Sequence, residues 1–300
     1  MLSRRSLLAT PLALLAARAV SAQPRKMSLA IHTNTSSAAG YRGALEGWAK
    51  AGITQVELSS AIVEAFLKTD TMAAARRILT DNGLTPVSGA AVGVGPILEP
   101  SPDHTAAFDS LKGRLEMFAA LGLKKVYTTT NGTQKLTLDD YQAVVEQMRR
   151  VGDIAKQFEM IAMVEFVRAS TYMSTLPTAL KYTREAAHPN FAPMFDFYHF
   201  WSGNNKLEDL DLIRPGEIQH VHFQDVPDMP RELLDNNTRV IPGDGVSPLH
   251  AILKKLAEKG YTGPLSVELF LPRFRDGDPF AIATEIRQKA GAVMRAAGVL

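Results

Sequence analysis

Leu256-Ala-Glu-Lys-Gly260-Tyr-Thr-Gly-Pro-Leu265-Ser-Val-Glu268-Leu269 holds one whole unit of this chain's organisation. A helical pattern closes at Gly260, the residue type that most readily turns left-handed past a helix end. An apolar run follows and sets Glu268 between Val267 and Leu269. Alternate side chains of a strand face opposite ways, so Val267 and Leu269 share one face and Glu268 takes the other. The order of helix, glycine and apolar run recurs at Trp48-Ala-Lys-Ala-Gly52-Ile53, Leu79-Thr-Asp-Asn-Gly83-Leu84 and Phe118-Ala-Ala-Leu-Gly122-Leu123. Strands read this way begin near Ser28, Thr54, Thr85, Lys124, Met160, Ala192, Ile218 and Leu265. Helical patterns lie between them, as over Thr105–Leu121, Leu138–Phe158 and Pro248–Glu258, with apolar residues at three- and four-residue spacings. Eight alternations in 300 residues, 46% of them hydrophobic, predict a single-domain α/β fold, the (β/α)8 TIM barrel. A doubly wound open sheet is the competing fold, but no Gly-rich phosphate loop follows the first strand.

Three more runs share the inward polar residue: Met163-Val-Glu165-Phe166, Met194-Phe-Asp196-Phe197 and His220-Val-His222-Phe223. With Glu268 they are separated by 31, 26 and 46 positions, about one strand–helix unit each. Burying three carboxylates together without a cation is very costly. Three oxygen donors and one imidazole at one end of a parallel barrel make a site for a single divalent metal. Such donors favour Mn²⁺, with Mg²⁺, Co²⁺ or Zn²⁺ also compatible. The chain has no cysteine, which excludes a thiolate site, a thiol nucleophile and disulfides.

At these residues the chain resembles the xylose-isomerase-like barrel family, which holds sugar isomerases, sugar epimerases, inosose-type dehydratases and endonuclease IV-like DNA repair enzymes. Ala162-Met-Val-Glu165 is similar to the family's strand-five Glu, and Phe195-Asp196-Phe-Tyr-His199 to its D-x-x-H. Ile218-Gln-His-Val-His222-Phe-Gln-Asp225 resembles its H-V-H-x-x-D strand and Pro242-Gly-Asp-Gly245 its P-G-x-G turn. The stretch Gly260–Glu268 resembles its final strand. The resemblance implies metal ligation by Glu165, Asp196, His222 and Glu268, with the two glutamates as the acid/base pair. It also implies that His199 and Arg239 touch a substrate oxygen, although both residue types are common on exposed loops.

Four other residues join the expected substrate side or stand behind it. Glu57, in Val-Glu-Leu, has the ligands' inward pattern on strand two and reads as a substrate contact or a group supporting the ligands. His32 ends strand one and could line the pocket. Trp201 is placed to stack on a sugar ring, whereas Trp48 fits the core. His220 shares the inward face with His222, one layer deeper.

The chemistry this predicts is isomerisation or epimerisation of an unphosphorylated sugar or keto-sugar. Chelation of two adjacent oxygens acidifies the C–H between them, and glutamates on opposite faces take and return the proton through an enediolate. A keto-sugar lyase or dehydratase is the nearest variant, and a non-catalytic periplasmic sugar binder the alternative outside catalysis. A DNA repair enzyme of this fold would need further histidines. Strand four instead ends Thr128-Thr-Thr-Asn131, and Asn237-Thr238-Arg239 stands where a D-x-H would.

The formal charge of +2 includes Arg4, Arg5 and Arg18, in a 22-residue segment without acids; removing those three leaves −1, which gives no nucleic-acid surface. Ser3-Arg4-Arg5-Ser6-Leu7-Leu8, an apolar stretch to Ala17 and Val20-Ser21-Ala22 before Gln23 resemble a twin-arginine export signal. The expected division is a leader over 1–22 and a barrel over 23–300, exported or periplasmic, with no stable membrane insertion. That location favours unphosphorylated substrates. The oligomeric state stays open, a homo-oligomer included.

Overall fold

The computed structural model describes residues 26–91, 98, 103–130, 132 and 134–300. The apolar runs form β1 (Ser28–His32), β2 (Gln55–Ser59), β3 (Thr85–Ala90), β4 (Lys125–Thr129), β5 (Ile161–Glu165), β6 (Phe191–Pro193), β7 (Phe195–Asp196), β8 (Val221–His222) and β9 (Pro264–Val267). They pair in parallel in the order β6-β5-β4-β3-β2-β1-β9-β8-β7. β6 and β7 are halves of one barrel strand parted at Met194, next to Pro193, which has no N–H to give the ladder. The Met194 N–H donates to Val164 O and the Phe195 N–H to His220 O, both at 3.0 Å. The two ends of the order therefore meet in one segment and the barrel closes. All eight expected strands are present, the sixth in two pieces.

The expected helices occupy Thr105–Ala120, Leu138–Gln157 and Leu249–Glu258. Gly52, Gly83, Gly122 and Gly260 have φ of 81, 63, 84 and 88°, the left-handed conformation that ends each helix and aims the chain into the next strand. Strand residues facing outward pack with Trp48, Phe118, Ile252 and Ile286 from the helices, all fully buried. Trp48 also donates from Nε1 to Ser36 Oγ at 3.2 Å.

Two local features place the site. The helix Phe197–Ser202 begins directly after Asp196, whose Oδ1 accepts the His199 N–H at 2.6 Å. This cap is the physical content of the D-x-x-H spacing, since an N-cap carboxylate reaches the third residue on. The segment Val226–Gly245 is tied to the barrel. Asp225 pairs with Val240, and the Tyr198 hydroxyl donates to Asp235 O. The Asp225 carboxylate accepts four backbone N–H groups, from Val226 (2.8 Å), Gly243 (3.1 Å), Gly245 (3.0 Å) and Ser247 (2.9 Å). A Cβ at Gly245 would collide with Val226 O and the Asp225 carboxylate, so the turn needs glycine there. The leader expected over 1–22 and Asn131 lie outside the described residues.

Asp225→Ala would leave four N–H groups without their acceptor. Urea denaturation of this variant should register a loss of at least about 2 kcal/mol, with metal content unchanged.

Candidate metal centre

The C-terminal ends of the strands assemble the site. Glu165, Asp196 and His222 are the last residues of β5, β7 and β8, and Glu268 directly follows β9. One ligand atom from each lies within 4.8 Å of all the others. His222 Nδ1 is the hub, 2.8 Å from Glu165 Oε1, 3.4 Å from Asp196 Oδ2 and 3.5 Å from Glu268 Oε2. None of the four residues is more than 4% exposed.

Around this set stand groups that fix two of the three carboxylates, Asp196 and Glu268. Gln224 Nε2 donates to Asp196 Oδ2 at 2.8 Å and Asn34 Nδ2 to Glu268 Oε1 at 3.1 Å. Arg239, itself buried, donates from Nη1 to Asp196 Oδ2 (3.2 Å) and Glu268 Oε2 (2.6 Å). Its Nη2 lies 3.1 Å from His199 Nε2, and its guanidinium rests between the rings of Tyr198 and Phe270. Three carboxylates thus face one guanidinium and one imidazole, a negative excess in a nearly dry pocket. Three oxygen donors and one nitrogen with that excess fit one divalent cation.

The protein's own electrostatics separate the two glutamates. Burial, with Asp196 and Glu268 nearby, pushes the Glu165 carboxyl up to about 8, against the pull of His222. Glu268 is also buried, yet His222, His32 and Arg239 hold it below the usual carboxylate range. Burial opposes charge on Asp196 too, but Arg239, His199 and His222 keep it well below its ordinary value. His222 is likewise desolvated, and Glu57, Glu268 and Glu165 outweigh that and raise it well above 6.5. Burial pushes His199 down to about 4, so it is neutral at neutral pH.

A cavity of about 190 Å³ opens onto the centre. Glu165, Glu268, His199 and Arg239 line it, with Asn34, Tyr127 and Asn236 as further polar groups and Phe270, Val167 and Ala90 as apolar walls. Three expected substrate contacts are not on that lining. Glu57 is fully buried one layer below, against His220 and His222. His32 is also fully buried; its Nδ1 accepts the Asn34 N–H at 3.0 Å and its Nε2 lies 3.3 Å from the Tyr127 hydroxyl, so it stands behind residues that line the cavity. Trp201 packs beside Tyr198, Val226 and Leu234, with Arg231 stacked 4.6 Å from its ring, so its face is already covered.

Asn34, Tyr127, Gln224 and Phe270 are site residues the sequence reading missed. Alternation carried a signal for two of them. Gln224 lies two beyond His222, and Tyr127 shares the inward face with Thr129. Asn34 sits in Thr-Asn-Thr-Ser-Ser, which reads as a polar loop and here folds as a 3₁₀ helix over Thr33–Ala39.

Fold and donor set together define an α/β barrel equipped for one divalent cation. The chain belongs to the xylose isomerase-like TIM barrel family, whose sequence profile it matches over residues 45–295. It is similar to the inosose isomerase of Bacillus licheniformis, 32% identical over 174 residues, 57% of this chain and 63% of that protein. It is also similar to the 3-dehydroshikimate dehydratase of Bacillus anthracis, 25% identical over 177 residues, 57% of this chain and 59% of that one. The chain therefore spans less than two thirds of the length of these curated relatives. Among solved structures, the IolI protein with a bound zinc atom superposes with a TM-score of 0.83 at 22% identity, over 90% of this chain and 99% of that one. L-ribulose 3-epimerase superposes with 0.71 at 20% identity, over 91% and 96%. These likenesses carry the fold.

Two outcomes follow from the geometry. Elemental analysis should find one divalent ion per chain, lost in His222→Ala and Asp196→Ala; full occupancy in His222→Ala would refute the ligand set. In protein stripped by chelation, the raised Glu165 carboxyl favours folding below about 4.5 and loses that contribution as pH rises toward 8. Wild type measured against Glu165→Gln should therefore lose relative stability across that window, as read by thermal unfolding.

Proposed function

We propose that this chain is a divalent-metal-dependent isomerase or epimerase of a small unphosphorylated keto-sugar or keto-polyol. One observation carries the reading: Glu165 and Glu268 line the same cavity and belong to the same four-residue metal set. Two carboxylates so placed are suited to be an acid and a base in one site.

A bound divalent ion would polarise the carbonyl and neighbouring hydroxyl of the substrate and acidify the C–H between them. Glu268, ionised through its contacts with Arg239 and Asn34, is the group ready to accept that proton. Glu165, on the same cavity wall, is the group placed to return a proton. Arg239 and neutral His199 stand beside the carboxylates on the cavity wall and orient a substrate oxygen. Among the described residues that line the cavity, Arg239 is the one Lys or Arg, and its Nη1 is already engaged by Asp196 and Glu268. The described wall thus offers a phosphate group no cation that is not already engaged, in keeping with an unphosphorylated substrate. The same reasoning joins the Arg4-Arg5 leader to an exported, periplasmic site of action. No helix among the described residues is long and apolar enough to cross a membrane. For the metal we retain Mn²⁺ as the first choice of this oxygen-rich donor set, with Zn²⁺ next because the imidazole accepts it.

A dehydratase uses the same start, with loss of a leaving group after proton removal, and the 3-dehydroshikimate dehydratase relatives give that variant its support. Metal-loaded protein should be assayed in deuterated water with an inosose, D-allulose, L-ribulose and 3-dehydroshikimate. We expect deuterium at the carbon next to the carbonyl of one of them, without water loss. Glu165→Gln and Glu268→Gln should each cut that turnover by roughly 10²–10⁴-fold while retaining much of the metal. Water release with product formation would select the dehydratase, and binding without exchange across the panel the non-catalytic sugar binder.

A further inference from the structure

Glu57 is the most deeply buried carboxylate that the proposed chemistry does not use. It lies mid-strand in β2 at 0% exposure. Its partners are two imidazoles: Oε2 is 2.9 Å from His220 Nε2 and 3.2 Å from His222 Nε2. Neither Glu57 Oε1 nor His222 Nε2 has an aligned hydrogen bond, and His220 Nδ1 has none either. A carboxylate without water is costly unless its charge is compensated. Here the compensation comes from the back of the imidazole whose other nitrogen faces Glu165, Asp196 and Glu268.

We propose that Glu57 is a positioning residue for the metal centre: it holds the proton of His222 on Nε2, so that the Nδ1 lone pair is presented to the ion. Once His222 keeps a single proton, its two nitrogens have different surroundings. Nδ1 looks at the four-residue site, and Nε2 looks at one carboxylate. The Nε2–H has its acceptor in Glu57, and a small turn about the last Glu57 torsion, which is soft, aligns the bond. The negative charge behind the ring also raises the donor strength of Nδ1. His220 has a distinct part, donating from Nε2 to the same oxygen and fixing the carboxylate from the other side. Glu57 on β2 is thus shared by both histidines of the H-V-H pair.

This inference rests on the four-residue metal site, and the test separates the two. Equilibrium dialysis with Zn²⁺ and Mn²⁺ would compare wild type, Glu57→Gln, Glu57→Asp and His220→Gln, alongside thermal unfolding of the chelator-stripped proteins. Supporting groups of this kind change metal affinity by about 10–100-fold. Glu57→Gln should fall in that range, Glu57→Asp should lie between it and wild type, and His220→Gln should show the smaller loss. In zinc-loaded protein the His222 Nε2–H resonance should be observed far downfield and should move upfield in Glu57→Gln. Stripped Glu57→Gln should also unfold below the wild-type temperature, since both imidazoles lose their charged partner. A purely packing role predicts a lower melting temperature alone, with unchanged affinity. Unchanged affinity in both Glu57 variants would overturn the inference while leaving the centre standing. So would two ions per wild-type chain falling to one in Glu57→Gln, since Glu57 would then be a ligand. Absence of any ion in wild type would overturn the centre itself.

Discussion

The concentration of negative charge around one imidazole nitrogen is the constraint on which the rest of this structure depends. Glu165, Asp196 and Glu268 all direct an oxygen at His222 Nδ1 from within 3.5 Å, in a pocket almost without water. Like charges so placed repel unless something holds them, and desolvation removes the help of the solvent. The surrounding protein answers group by group. Gln224 and the helix start at His199 fix Asp196, Asn34 fixes Glu268, and Arg239 bridges the two. A divalent ion completes the balance. Asp225, which gathers four N–H groups, helps tie the segment that carries Arg239 to the barrel.

The fold serves this constraint by geometry. Parallel strands in a closed barrel end together, so four side chains separated by up to 103 positions in sequence meet on one rim. A break in the sixth strand at Met194 lets Asp196 be both a strand end and a helix cap. One oxygen then serves the helix Phe197–Ser202 and the other the centre. The uneven proton affinities of Glu165 and Glu268 grow from the same arrangement. Glu268 has Arg239 and Asn34 beside it, and Glu165 has chiefly His222.

Much of this was legible in the sequence, because strand alternation and glycine-closed helices are local signals. The eight strands and the inward set Glu165, Asp196, His222 and Glu268 follow from a period of two and a spacing of one strand–helix unit. Depth was legible within one strand, as for His220 below His222, but not between strands. Glu57 and His32 have the same inward pattern as the ligands, but alternation says which face a residue takes and not how far along the barrel axis it sits. Glu57 lies mid-strand and ends below His222. His32 ends its strand but stands behind Asn34 and Tyr127. Trp201 was misplaced for a different reason: its helix begins at the very end of a strand, and helical direction carries the ring toward Tyr198 and Leu234 instead of the cavity. Asn34 and Phe270 belong to segments without periodicity, where only the closed barrel brings them to the site.

The most direct measurement is an anomalous difference map from crystals grown with Mn²⁺. The account predicts one peak per chain, bound by His222 Nδ1 and by oxygens of Glu165, Asp196 and Glu268 at roughly 2.0–2.3 Å, typical of such ions. A map without that peak, or with density placed instead between Glu57 and His220, would contradict it.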